Sequence, residues 1–291
     1  MAFESLAFSL IVDGVLAGAI FATLAIGLNI TLGVANILNF AQGEFMMLGM
    51  FAAYFVLTLA NAPLSVTLVV VFFIFFVGGM GLDTVLFRRA RKLNEVAQII
   101  LTVAISSFLI NFMSYAFSPV YRSAHIAYAA ESVTFFSAQA DVAELLLLAY
   151  VIAAVCASHI FISRTKVGLA IRAVSQDSAL ASSLGVNNNR MYSVAFGLSL
   201  ALTAAGGAMV LPFSAVYPQV GQGYFLLALV VIVLGGLGSA WGAFVGAMLL
   251  GIVSSFSTYY LGGYSYVVVY IIFIMVLLIR PEGIFGRRIR V

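Results

Sequence analysis

The residues able to do chemistry in this 291-residue chain are few, and the most telling of them stand inside apolar runs. Asn29, Asn36, Asn39, Gln42 and Glu44 fall within GLNITLGVANILNFAQGEFMMLGMFAAY. Amides and a carboxylate in such a run are costly in lipid. One reading is a wet turn between two spans. The other is a broken helix whose amides and free N-terminal N–H groups line a solute path, because non-helical backbone at membrane depth is tolerated only within protein or around a wet cavity. The length of the polar-spotted segment and the lack of a strong Pro-Gly turn favour the broken helix. A similar interruption recurs in VVIVLGGLGSAWGAFVGAMLLG, where Gly235, Gly236 and Gly238 break a short apolar helix. Gly238, Gly242 and Gly246 repeat every four residues, which places them on one helical face where another helix can approach closely. Packing accounts for that face as well as solute contact does. Ala204, Ala205, Gly206, Gly207 and Ala208 read as a further packing patch.

Soluble chemistry is poorly represented. The chain holds no G-x-x-x-x-G-K-[ST] phosphate loop, no H-E-x-x-H, no C-x-x-C and no G-x-S-x-G. Catalytic residues, a metal and a cofactor are therefore not expected. His125 and His159 fall on opposite membrane faces and share no site. The lone Cys156 lies in an apolar run and pairs with nothing in the chain. No basic tract suits nucleic acid. Asp13 stands near the outer end of the first span and Glu44 near the inner end of the second. A proton- or sodium-coupled carrier needs such ligands near the midplane, so their placement speaks for a protein powered from outside itself.

These residues must be positioned by membrane helices. The chain is 64% hydrophobic and 8% charged, where soluble domains carry about a quarter charged residues. Lipid is the solvent. Spans of roughly 20 apolar residues are read at 9–34, 43–60, 63–82, 96–117, 142–162, 191–211, 224–236, 240–260 and 264–280. The expected fold is all-α: one polytopic inner-membrane bundle over residues 1–291, with about nine crossings, or seven if 224–260 is a re-entrant pair. Glu4 and the missing basic n-region argue against a cleaved signal peptide. Arg88, Arg89, Arg91 and Lys92 fill one loop; Arg164, Lys166, Arg172 and Arg190 mark a second; Arg280, Arg287, Arg288 and Arg290 close the chain. Twelve of the thirteen basic residues thus share one side, and only Arg122 lies opposite. By the positive-inside rule the N-terminus is outside and the C-terminus cytoplasmic.

The inner loop, about 163–190, is the most polar segment of the chain. Val167, Ile171 and Val174 recur at helical spacing, as do Leu180 and Leu184, and Gly185 is a natural stop. One or two short amphipathic helices are expected along the membrane face. Either a second protein grips them or they lie in the headgroups.

NILNFAQGEFMMLGMFAAY resembles the N-L-x-x-G-x-x-x-x-L-G-A signature of the membrane subunits of branched-chain amino acid ABC importers. VGLAIRAVSQDSALASSLGVNNNRMYSVAFGLS is similar to that family's cytoplasmic coupling loop, and VIVLGGLGSAWGAFVGAMLLG and LLIRPEGIFG also match its pattern. The order is right over most of the chain, and the length resembles the shorter, LivH-type permease. The resemblance implies alternating access driven by two cytoplasmic ATPases, with a longer sister permease and a periplasmic substrate-binding protein as partners. By matching position, Gly168, Arg172, Ala173, Asp177, Ala181 and Gly185 would couple to an ATPase. Asn39, Gln42, Gly43 and Glu44 would lie at the translocation path. Many relatives carry His where this chain has Gln42. Related permeases also serve urea and short amides, which leaves the substrate open, and a secondary carrier or channel is the rival class.

Overall fold

The structure is a computed structural model that describes residues 2–35, 37–91, 94–124, 131–135, 138–280 and 283. Asn36, Lys92, His125 and most of the terminal basic segment lie outside the described residues. The chain is helical: α1 Ala2–Ala35, α2 Gln42–Leu59, α3 Leu64–Leu82, a π-helical turn Asp83–Phe87 running into α4 Arg88–Ala90, and α5 Glu95–Phe117. Then follow α6 Val142–Arg164, α7 Lys166–Gln176, α8 Ser178–Ser183, α9 Asn188–Val210, α10 Val220–Gly235, α11 Ala240–Leu261 and α12 Ser265–Ile279. A small antiparallel hairpin, β1 Ser132–Phe135 with β2 Ala138–Asp141, adds the described strands within the loop read as 118–141.

Seven stretches are long and apolar enough to span a bilayer; the last covers α11 and α12 together, and the 16-residue α10 is a shorter apolar helix. The protein is thus an all-α polytopic membrane protein.

α9 is the central post, buried along nearly its whole length, with α1, α2 and α3 packed on it. Small residues make this closeness achievable, as van der Waals packing rather than hydrophobic burial holds helices together in lipid. α1 runs antiparallel to α11: Gly14 lies against Ile252, Gly18 against Ala247 and Met248, and Gly33 against Gly238. Gly49 meets Ala204, and Gly207 meets Met46, where α2 crosses α9. The 204–208 patch is therefore packing, as its composition indicated. Gly242 and Gly246 do share a face of α11, against Gly235 and Val231 of α10. Gly238 is not on that face. It sits in the turn before α11 with φ +81, so the four-residue repeat is broken by the backbone.

Candidate functional site

The first polar stretch forms a break in the bundle. α1 ends at Ala35, which lines an open cavity of about 690 Å³ together with Arg88, Arg91, Gln98 and Tyr192. Residues 37–39 are irregular, 40 and 41 turn, and α2 opens at Gln42. Gln42 is far from that mouth. Its amide nitrogen lies against Gly27, eight residues back along α1 from Ala35, or about 12 Å at the helical rise of about 1.5 Å per residue. The chain has turned back alongside α1, and α2 begins inside the bundle. Glu44 therefore sits deeper than the sequence suggested, because a span read as starting at the surface starts inside the protein.

Among the described residues, every buried side-chain polar atom of the break except one has a partner. Asn39 Nδ2 donates to Gln42 Oε1 at 2.9 Å, and the Ala41 N–H donates to Asn39 Oδ1 at 3.1 Å. Gln42 Nε2 donates to the hydroxyls of Ser199 (3.0 Å) and Thr203 (2.6 Å) on α9. Ser199 donates to the Gly27 carbonyl at 2.6 Å and lies 3.2 Å from the Thr31 hydroxyl. Asn39, Gln42, Thr31, Ser199 and Thr203 are all buried. This closed network holds α1, the break and α9 in one register, since an unmade bond here would leave a polar atom without water. Gly43 fits because its backbone touches Gly221, at the first turn of α10. The exception is Glu44: buried to 2% exposure, it leaves Oε2 with no hydrogen-bonding partner among the described residues.

Asn29 joins the two interrupted segments. Its Nδ2 donates to the Ser239 carbonyl at 2.7 Å, and its Oδ1 accepts the Gly238 N–H at 2.6 Å. Both groups belong to the turn between α10 and α11, where Gly236 takes φ +95. Gly235 stands at the end of α10 with Gly242 directly against it. Asn29, Gly236 and Gly238 thus form a clamp, and Gly235 is a packing contact.

The inner loop, residues 163–190, is a different construction. α7 and α8 are the two short amphipathic helices expected, with Gly168, Ile171, Val174 and Ala181 turned inward. Gly168 packs on the backbone of Phe161 and Ile162. The Thr165 hydroxyl caps α7 through the Gly168 N–H at 2.9 Å, and Asp177 caps α8 through the N–H groups of Ala179 and Leu180, both at 2.9 Å. Gly185, with φ +85, ends α8 in a Schellman turn: Val186 N–H to Ala181 O, and Gly185 N–H to Ser182 O, both at 3.0 Å. Arg172 is exposed and reaches the Ser163 carbonyl at 3.3 Å, and Ala173 is half-buried. Leu169, Leu180 and Leu184 are exposed.

The sequence reading overlooked an ion pair. Asp83, fully buried on the π-helical turn, binds Arg91 through both oxygens and accepts the Ser193 hydroxyl at 2.6 Å. The Arg91 guanidinium stacks over Tyr192 at 4.6 Å. The signal was available: a lone Asp in an apolar run marks a function or a partner.

Residues 10–277 match the family model described as branched-chain amino acid transport system / permease component. The chain belongs to this family. The permease is 30% identical to the high-affinity branched-chain amino acid transport system permease protein LivH of Salmonella typhimurium, over 94% of each chain, and equally to LivH of Escherichia coli. It is 28% identical to the corresponding protein BraD of Pseudomonas aeruginosa, over 95% of each. No solved structure matches the permease.

Proposed function

We propose that this permease is the transmembrane subunit of an ABC importer in the bacterial inner membrane, carrying branched-chain or similar small amino acids by alternating access. The observation that carries the reading is the likeness to high-affinity branched-chain amino acid permeases over nearly the full chain. It is no enzyme itself: two separate cytoplasmic ATPases hydrolyse ATP, a periplasmic binding protein delivers substrate, and a sister permease completes a heterodimer. Nine apolar helices (α1, α2, α3, α5, α6, α9, α10, α11 and α12) cross the membrane as one domain, N-terminus outside and C-terminus cytoplasmic. The basic residues of 88–91 and 164–190 then share the inner face.

The path passes the break before α2. Asn39 and Gln42 fix that break to α9, Gly43 and Glu44 adjoin the path, and Asn29 with Gly235, Gly236 and Gly238 hinges the α10–α11 turn against α1. α7 and α8 dock on an ATPase, with Asp177 and Gly185 shaping the helices and Arg172 facing outward. In proteoliposomes holding permease, sister permease and ATPases, labelled leucine uptake is expected only with ATP and binding protein present. Uptake driven by a sodium or proton gradient without ATPase would overturn the reading, and uptake of urea or amides in place of leucine would reassign the substrate.

A further inference from the structure

The network around Gln42 is closed, so the polar lining of a path has to lie elsewhere on α2. α2 points Gln42 at α1 and α9, and Gly43 at α10. Glu44 projects toward α5, where the Ser106 hydroxyl bonds its carboxyl. α5 carries Gln98, Thr102 and Ser106 at successive four-residue intervals, so they follow one face of the helix. That face is the inner one: Thr102 is fully buried, Gln98 and Ser106 are half-buried, while Ile100, Ala104, Phe108 and Asn111 on the opposite side are exposed. Gln98 lines the open 690 Å³ cavity beside Ala35, Arg88 and Arg91. One turn further, the Thr102 hydroxyl donates to the Ile99 carbonyl at 2.9 Å and lies 3.5 Å from the Leu38 carbonyl in the break itself. One more turn reaches Ser106 and Glu44. A polar line of about 12 Å, the rise of eight helical residues, thus leads from an open cavity to a carboxyl buried in the bundle.

That carboxyl is unlike the other buried one. Asp83 has Arg91 and Ser193. Glu44 has no ion-pair partner among the described residues, and its Oε2 bonds nothing among them. An ionisable residue buried among membrane helices marks a solute pathway or a partner, and this one has a free oxygen to offer a cation.

We propose that the inner half of the translocation path is the seam between α2 and α5, lined by Gln98, Thr102 and Ser106, and that Glu44 at its head receives the ammonium group of the passing amino acid. This rests on the transport reading above and adds to it the route and the substrate group recognised. Branched side chains are apolar, so the ammonium is the cationic handle such a substrate offers to a buried carboxylate. α5 is free to part from α2, being the helix with the smallest buried share among the single-helix spans.

The test uses the full complex in proteoliposomes, with Cys156→Ala as background. Cysteines are introduced as Thr102→Cys and Ser106→Cys, with Phe108→Cys on the opposite face of α5. Each is treated from the cavity side with cationic aminoethyl methanethiosulfonate or anionic sulfonatoethyl methanethiosulfonate. Cysteines at 102 and 106 are expected to react, the one at 106 about tenfold faster with the cation, a ratio that a single charged hydrogen bond readily supplies, and the one at 108 with neither. Glu44→Gln should abolish that preference and Glu44→Asp should keep it. Excess leucine should slow the cationic reaction at 106, whereas isocaproate, the same skeleton without the amino group, should not. Glu44→Gln should also lower maximal leucine uptake by about tenfold or more, with ATPases still bound. Where the wild-type complex takes up leucine, an unreactive cysteine at 106, or equal rates for both reagents, overturns the route or the charge recognition and leaves the transport reading standing. Absence of wild-type uptake removes the transport reading itself.

Discussion

The bundle centre and the segment proposed for coupling, residues 163–190, use the same residue types for opposite purposes. At the centre, glycine is present because a Cβ would strike backbone: Gly43 against Gly221, Gly49 against Ala204, Gly235 against Gly242. In the coupling segment, Gly185 has open space around it and is present for its φ of +85. Asn29 and Gln42 bond across helices distant in sequence. Asp177 and Asn187 bond groups two or three residues away as helix caps. The centre is a set of long-range locks, whereas the coupling segment is locally folded and then lightly attached. Under the proposed transport reading, a lever needs the second construction and a fulcrum the first.

Substitutions should separate the two. Gly43→Val forces a side chain into the Gly221 backbone, which has nowhere to relax. A loss of more than about 4 kcal/mol is expected, read as no monodisperse protein after detergent extraction. Asp83→Ala strands Arg91 in the protein and should cost about 3–5 kcal/mol, with much of it recovered in the double change with Arg91→Met. Thermal unfolding of the solubilised protein follows both. Recovery failing entirely would mean that Ser193, not Arg91, is the partner that matters. Asn29→Leu orphans the Gly238 N–H and the Ser239 carbonyl; at about 1–3 kcal/mol per buried group the ceiling is about 6, and the exposure of Gly238 sets the expected loss near the low end, about 2. Its sharper signature is faster proteolysis at the α10–α11 turn.

The coupling segment should respond less. Gly185→Ala meets no clash and pays only the left-handed backbone conformation, about 1–2 kcal/mol. Its effect should appear in ATPase capture by pull-down while the melting temperature of the bundle barely moves. Asp177→Ala removes the cap of α8 and should cost about 1 kcal/mol, seen as faster amide exchange over residues 178–183 alone. A bundle-wide destabilisation by either change would erase the contrast between lock and lever.

Much of this was legible in the chain. α7 and α8 follow from local spacing, and Gly185 was readable as their stop because a helix end is decided within a few residues. The break before α2 was readable from its polar spots. Its geometry was not. Nothing local says that 37–41 turns back beside α1, which puts Glu44 inside the bundle instead of at the surface. Asn29 looked like part of the same solute-facing cluster as Asn39, yet it serves the α10–α11 turn, more than two hundred residues away. The Gly238, Gly242 and Gly246 repeat misled because an equal spacing assumes a continuous helix, and α11 begins only at Ala240. The α5 line of Gln98, Thr102 and Ser106 passed unnoticed, since such residues are tolerated singly in any span.

What the sequence determined by itself was the solvent and the local helices. Apolar content dictates lipid, and caps and stops act over one turn. What only the tertiary structure decided was which polar group answers which. In lipid that choice is made between helices far apart in sequence, where the absence of water obliges each buried donor and acceptor to find a protein partner. It is also what singles out Glu44, whose second oxygen has none among the described residues.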